Sequence, residues 1–220
     1  MAGSSTSSIG RKYAMAISAM LLLSFLIVHV TLNSLSVFSK ASFNEASQFM
    51  GYNPFIQFVF QPILMIGVVF HFVMGFILEI RNNKARPVKY SVNAGSANSS
   101  WMSRNMIITG AVILAFLGLH FYDFWLHEMN YKYIEVLPED PSRYWMELHE
   151  KFSDLWRVII YVISFILLGL HLSHGFQSSF QSIGARHPKY TPFIKGFGTW
   201  FSILVPLAFI AIAIFHFVTQ

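Results

Sequence analysis

Five histidines lie inside the first four long apolar stretches of this chain: His29 in FLIVHV, His71 in VVFHF, His120 in FLGLHF, and His171 with His174 in LHLSHGF. A strongly polar side chain in hydrocarbon is costly, so each is a functional hypothesis by default. Taken singly, such a histidine is ordinarily one that donates a hydrogen bond to a carbonyl on a neighbouring helix. Four of them, one on each of four successive apolar segments, make that reading poor. Two imidazoles meeting at one depth can hold a transition metal, relay a proton or tie two helices together. Which of these applies depends on the elements that position them.

The carriers are apolar runs at about 14–38, 55–80, 103–126 and 154–180, with a fifth at 196–219. Each exceeds the ~20 residues that a helix needs to cross the hydrocarbon. The 220-residue chain is 55% hydrophobic and 11% charged, whereas soluble domains are roughly 25% charged. The expectation is an all-α integral membrane bundle of five transmembrane helices, with residues 1–220 forming a single domain. The first run is too long for a secretory signal and no A-x-A-like cleavage site follows it, so it is expected to be retained. The chain has no cysteine, which excludes disulfides, thiolate-bound iron–sulfur clusters and thiolate zinc sites within it.

Basic residues collect on one side. Arg11 and Lys12 precede the first run; Arg81, Lys84, Arg86, Lys89 and Arg104 separate the second from the third; Arg186, Lys189 and Lys195 separate the fourth from the fifth. The other side has Lys40 and Glu45, then Glu128, Glu135, Glu139, Asp140, Glu147, Glu150 and Asp154 against few bases. The positive-inside rule places the N-terminus in the cytoplasm and the C-terminus outside. The net charge of +5 is thus a topology signal, with no nucleic acid implied. The segment RNNKARPVKY is longer and more basic than a turn requires; it either serves topology alone or also receives a cytoplasmic protein.

Depth sorts the histidines. His29 and His120 lie about sixteen residues from the cytoplasmic ends of outward-running helices, and His71 and His171 about sixteen from the outer ends of inward-running ones. The result is one pair in the outer half of the membrane and one in the inner half. Zinc usually takes three or four protein ligands, and a proton relay would mix in carboxylates, of which the spans hold only Asp123 and Glu79 near their ends. Haem iron held by two axial histidines fits directly. Two pairs imply two b-type haems, since the covalent C-x-x-C-H attachment needs cysteine. Their levels should differ by roughly 10–15 Å.

The first and third spans share F-L-x-φ-H-φ, with φ apolar, and the second and fourth share φ-H-φ-x-x-G. That match aligns His171 with His71 and makes His171 the expected ligand. Gly75 and Gly175 would remove a side chain where a porphyrin approaches. His174 is left for a haem propionate, a quinone, or pairing near the inner surface. His216 is expected at the interface, and His127, His149 and His187 in solvated loops. Gln61-Pro62 should mark a kink. Trp101, Trp125, Trp145, Trp156 and Trp200 should form an aromatic belt, and the Ser/Thr tract at the N-terminus should be polar and mobile.

With five spans, one histidine in each of the first four, and H-x-x-x-G in the second and fourth, the chain resembles a known family. This is the single membrane-anchor cytochrome b subunit of succinate:quinone oxidoreductases, the di-haem type also found in quinol:fumarate reductases. NNKARPVKY at 82–90 and HLSHGFQSSFQSIG at 171–184 carry the likeness. The resemblance implies a multi-pass subunit of the bacterial cytoplasmic membrane. A cytoplasmic flavoprotein would oxidise succinate, an iron–sulfur subunit would relay the electrons, and this chain would anchor both in lipid and exchange electrons with quinone, expected to be menaquinone. It assigns His29 with His120 to the outer haem and His71 with His171 to the inner one. Fumarate reductase members that move protons along the fourth helix have a glutamate two residues before the histidine. Here that position is Gly169, which tilts the reading toward succinate dehydrogenase. Competing readings are the di-haem cytochrome subunit of a hydrogenase or formate dehydrogenase, and a histidine-lined transporter.

Overall fold

The computed structural model describes residues 8–84 and 105–220; the N-terminal Ser/Thr tract, Arg86, Lys89, Trp101, Arg104 and residues 85–90 of the basic motif lie outside them. The structure is 87% helical, with no strand among the described residues. Its helices are α1 (Ser8–Phe38), α2 (Lys40–Tyr52), α3 (Gln61–Lys84), α4 (Met106–His120), α5 (Arg143–Lys151), α6 (Leu155–Ser182) and α7 (Thr191–Val218). A π-helical turn, Ile56–Phe60, leads into α3. Two more, Phe121–Leu126 and Asn130–Ile134, flank a short turn at His127–Met129 and prolong α4. Five helical stretches are long and apolar enough to cross a membrane: Ile9–Phe38, Ile56–Asn82, Met106–Ile134, Leu155–Ser182 and Thr191–Val218.

The breaks have local causes. Ser39 ends α1 and caps α2, its side chain accepting from the Ser42 N–H at 3.2 Å. Asp154 caps α6 by accepting from the Trp156 N–H at 3.0 Å, and Gly184, at φ +83°, follows its last turn. Pro62 cannot donate into the helix ladder. The preceding turn widens, the Gln61 N–H reaching the Ile56 carbonyl, so the expected kink is a π turn.

Successive spans run antiparallel, as the pairings Met15–Gly75 with Leu21–Gly67 and the contact Asp123–Arg157 require, whereas Ser36–His216 brings the ends of α1 and α7 together. The starts of α1, α4 and α7 therefore share one end with the ends of α3 and α6, here the basic end. The other is the capped end. The tightest packing joins α6 to α7, where Phe165, Leu172 and Phe176 meet Phe201, Val205 and Phe209 in a buried cluster. Gly169 makes this possible. A Cβ there would stand 3.0 Å from the Ser202 carbonyl oxygen and 3.4 Å from Pro206 Cγ. Pro206 has no N–H to offer that carbonyl four residues back, so the freed oxygen turns toward α6, which only glycine lets approach. Close approach through small residues is how helices associate in lipid.

The acidic segment expected to be a solvated loop folds into a cap. Arg143, only 7% exposed, pairs with Glu147 at 2.8 Å and with Glu128, and its guanidinium lies 3.9 Å from the Tyr131 ring and 4.3 Å from Tyr144. Lys132 bonds Glu128 and sits 4.0 Å over Tyr52. Burial opposes the Arg143 charge, but its hydrogen bonds to Glu147 and Glu128 outweigh that and raise the pKa. Burial, reinforced by Glu128, likewise raises that of Tyr144. These pairings carry the third helical stretch to Ile134, past the expected limit at 126. Asn44 ties α2 to the cap, donating to the Ser142 carbonyl at 3.0 Å and accepting from the Trp145 N–H at 2.7 Å.

Candidate functional site

Toward the basic end, His71 on α3 faces His171 on α6, ring centres 6.5 Å apart at 68°. Each imidazole is set by a hydroxyl on an adjacent helix: His71 Nδ1 is 3.1 Å from Ser18 Oγ, and His171 Nδ1 is 3.2 Å from Thr109 Oγ1. Those hydroxyls donate their own protons to carbonyls one turn back, Ser18 to Met15 at 2.8 Å and Thr109 to Met106 at 3.0 Å. They therefore accept from the imidazoles. Both rings are in the Nδ1–H form with the Nε2 lone pair uncommitted, and neither Nε2 has a hydrogen-bond partner among the described residues.

Toward the capped end, His29 on α1 faces His120 on α4, ring centres 5.7 Å apart and nearly perpendicular at 88°. Phe25 stacks on His29 at 5.1 Å, Phe116 lies 5.8 Å from His120, and Phe209 of α7 lies 5.6 Å from His29. His120 Nδ1 is buried without a hydrogen-bond partner. One turn further on, in the π turn, Asp123 is 1% exposed. Its Oδ2 accepts from Arg157 Nε at 3.0 Å and from the Tyr161 hydroxyl at 2.9 Å, whereas its Oδ1 is unpartnered. π turns inside helices are frequent at functional sites.

The two levels come from one repeated unit. Met15, Ser18, Phe25 and His29 on α1 match Met106, Thr109, Phe116 and His120 on α4 at identical spacing, and His71, Gly75 and Phe76 on α3 match His171, Gly175 and Phe176 on α6. Sequence reasoning matched the histidines and glycines but missed the methionine and hydroxyl positions. An ungapped overlay of 15–29 on 106–120 contains that signal. Ser18 and His29, like Thr109 and His120, are eleven positions apart, so the levels differ by roughly 16 Å, just beyond the expected range.

Gly75 lies beneath Met15, whose Cε would be 3.7 Å from an added Cβ, and Gly175 beneath Met106 at 3.3 Å. Both neighbours are ends of flexible side chains. Gly110 also borders the site: a Cβ there would be 3.5 Å from His171 Cε1. His174 is half-buried and enters no hydrogen bond or ring contact among the described residues. A cavity of about 300 Å³ at the basic end is lined by Ile9, Lys12, Tyr13, Ser178, Gln181 and Ser182.

Two histidines expected in water or at the interface are placed otherwise. His216 is fully buried, bonded to Ser36 and to the half-buried His149, because the cap closes over the end of α7. His127 is exposed, as expected, and faces Glu147 at 3.6 Å. Trp145 leaves the expected belt for this cap, its Nε1–H donating to the Ser36 carbonyl at 2.8 Å. Trp156 and Trp200 are exposed, as belt residues would be.

A metal bonded at roughly 2 Å to one nitrogen of each of two imidazoles holds their ring centres roughly 6 Å apart, the spacing of both pairs. Among the described residues no three histidine, aspartate or glutamate side chains converge on a metal-sized site. Each level therefore offers two imidazoles, and four helices position the two pairs at separate depths. Comparison with protein-family models, curated proteins and solved structures returned no match.

Proposed function

We propose that this chain is the di-haem cytochrome b anchor of a succinate:quinone oxidoreductase, a multi-pass protein of the bacterial cytoplasmic membrane, with its basic end in the cytoplasm. The observation that carries this reading is the pair of mirrored clamps, Ser18 on His71 and Thr109 on His171, which leave two Nε2 lone pairs uncommitted at one level, with a second facing pair at another. Hydrocarbon offers such lone pairs no partner. Where a metal-bound imidazole donates its other N–H, orientation and basicity are both set.

His71 and His171 would hold the inner haem, and His29 and His120 the outer one. When bound, haem held by these imidazoles would supply a one-electron couple. Ser18 and Thr109 orient the inner imidazoles, while Phe25, Phe116 and Phe209 exclude water from the outer ones. Lys12, Tyr13, Ser178, Gln181 and Ser182 give the basic end a polar, cationic recess suited to a propionate or a quinone head group. Flavoprotein and iron–sulfur subunits would dock on the cytoplasmic face, and the dicarboxylate chemistry would lie on the flavoprotein. Menaquinone is the electron partner this reading favours. Gly169 speaks for succinate oxidation over a fumarate reductase with a proton route along α6.

Reduced-minus-oxidised spectra of the purified protein should contain two b-type components; their absence would end the proposal. The copurifying subunits separate the alternatives. Flavin-containing and iron–sulfur proteins are expected, whereas a hydrogenase or formate dehydrogenase large subunit would redirect the assignment.

A further inference from the structure

The capped end holds a titratable pair outside both facing sites. His216 Nδ1 lies 3.1 Å from His149 Nδ1 on α5, and His216 Nε2 lies 2.9 Å from Ser36 Oγ on α1. That hydroxyl donates to the Asn33 carbonyl at 2.6 Å. Bond directions follow from this last step. Ser36, its proton committed to Asn33, accepts from His216 Nε2–H. His216 Nδ1 is then an acceptor, and His149 donates to it from Nδ1–H. The single lone pair left over is on Nε2 of His149, a half-buried residue of the cap.

This chain can take up one proton without losing a bond. A proton from water binds His149 Nε2, and the resulting imidazolium still donates through Nδ1 to His216. Trp145 stacks on the His149 ring at 4.5 Å and 20°, and an indole face favours a cation. The charged groups around the pair are few. Lys40 Nζ, 4.9 Å from the centre of the Trp145 ring, opposes a second cation. Glu147 is held by Arg143 and faces His127, and Glu150 points outward on α5. Ser36 on α1, Phe215 on α7 and Gln220 just beyond it also touch the pair, the last through its side-chain amide, which donates to the carbonyls of both histidines; none of the three side chains is charged. Phe152, 6.5 Å from His216 and 5.1 Å from Tyr161, stands between the pair and the Asp123–Arg157 bridge.

The pair also has a fixed relation to the outer imidazoles. Ser36 is seven positions beyond His29 on α1, and His216 is seven beyond Phe209, the α7 ring against His29. Both helices put the pair roughly 10 Å past His29, close enough in a low dielectric for a charge at one to act on the other. Asn33, whose carbonyl ends the chain, places its side-chain amide 3.4 Å from His29 Nδ1.

We propose that His149 and His216 form the proton-exchange station of the outer site. An electron arriving at the His29–His120 level is accompanied by one proton, taken from the outer water onto His149 Nε2 and returned when the electron leaves; no bond within the protein breaks. This inference rests on the haem reading. Its test is a redox titration of both b-type components in the intact complex across roughly pH 5–8, the outer one being identified by its loss in His120→Ala. In the parent protein the outer midpoint potential should fall as pH rises. In His149→Gln at least half of that dependence should disappear while the inner component is unchanged. His216→Gln should do the same, and His149→Gln, at a half-exposed position, keeps the test open if the buried variant fails to assemble. Parental pH dependence of the outer component in His149→Gln would overturn the proposal, as would outright loss of the outer haem in that variant. Absence of b-type components from the parent would instead remove the haem reading beneath it.

Discussion

The hydroxyl clamps make the most direct prediction. Thr109→Val keeps the side-chain volume but deletes the acceptor for His171 Nδ1–H, and Ser18→Ala does the same for His71. A hydrogen bond between helices in a membrane averages about 0.6 kcal/mol and reaches about 1.7. Here removal also strands an imidazole N–H in an apolar interior, which costs about 1–3 kcal/mol. Outer-shell partners of metal-bound histidines are worth about 10–100-fold in affinity, or roughly 1.4–2.8 kcal/mol, so the two approaches agree. Each single variant should retain the outer component and lose the inner one more readily on dilution or warming, as followed by haem-to-protein ratio and reduced-minus-oxidised spectra. The double variant should be depleted of the inner component as purified, since both clamps act on one site and their effects couple. Preferential loss of the outer component, or an inner component in the double variant as stable as in the parent, would refute the tautomer argument.

Alanine at His71 or His171 should abolish the inner component alone, and alanine at His29 or His120 the outer alone; any other pairing of losses would contradict the facing geometry. His174→Ala should leave both in place, which spectra of the variant would check. Gly169→Ala puts a methyl group 3.0 Å from a backbone oxygen that cannot easily yield; overpacking of this kind costs about 1–3 kcal/mol, to be read as a lowered thermal midpoint in detergent. The raised pKa of Tyr144 means that the folded cap prefers the phenol protonated. Its contribution is complete below the ordinary tyrosine value, roughly pH 10, and is lost as pH rises beyond it, so the thermal midpoint in detergent should fall at alkaline pH in the parent and much less in Tyr144→Phe.

The sequence was most legible where one residue type carries a large desolvation cost. Apolar length placed all five spans, and the improbability of four isolated imidazoles in lipid pointed to the facing pairs, which His71–His171 and His29–His120 form. What stayed hidden depends on contacts between distant segments. Nothing local marks Ser18 or Thr109 as imidazole partners, because serine and threonine in a transmembrane helix ordinarily bond their own backbone, as these two also do. The cap was misread for a related reason. Glu128 and Glu147 look like a solvated acidic loop until Arg143 and Lys132 are seen to neutralise them, and the burial of His216 follows only once α5 lies over the end of α7. Gly169 shows the same limit: its meaning comes from Pro206, thirty-seven positions away.

The repeat explains why two sites of common construction need not behave alike. Both hairpins, α1 with α3 and α4 with α6, supply a methionine, a hydroxyl, two phenylalanines, two histidines and a glycine at matching positions, and by themselves they would build equivalent levels. The asymmetry comes from α7, which has no counterpart in the repeat. It brings Phe209 against His29 and stacks the same ring on Phe165 at 5.1 Å, then carries His216 into the cap beside His149 and Ser36. At the basic end the imidazoles are held by neutral hydroxyls. At the capped end Asp123 with one unpartnered oxygen, the Arg157 guanidinium and the His149–His216 pair all lie within a few turns of His29 or His120. On the haem reading, charge at the capped level would move among groups that can exchange or redistribute protons, whereas at the basic level the hydroxyl partners of the imidazoles cannot. The outer component should then depend on pH more than the inner one, whose titratable neighbour is His174, and equal dependence at both levels would mean that α7 and the cap contribute enclosure alone.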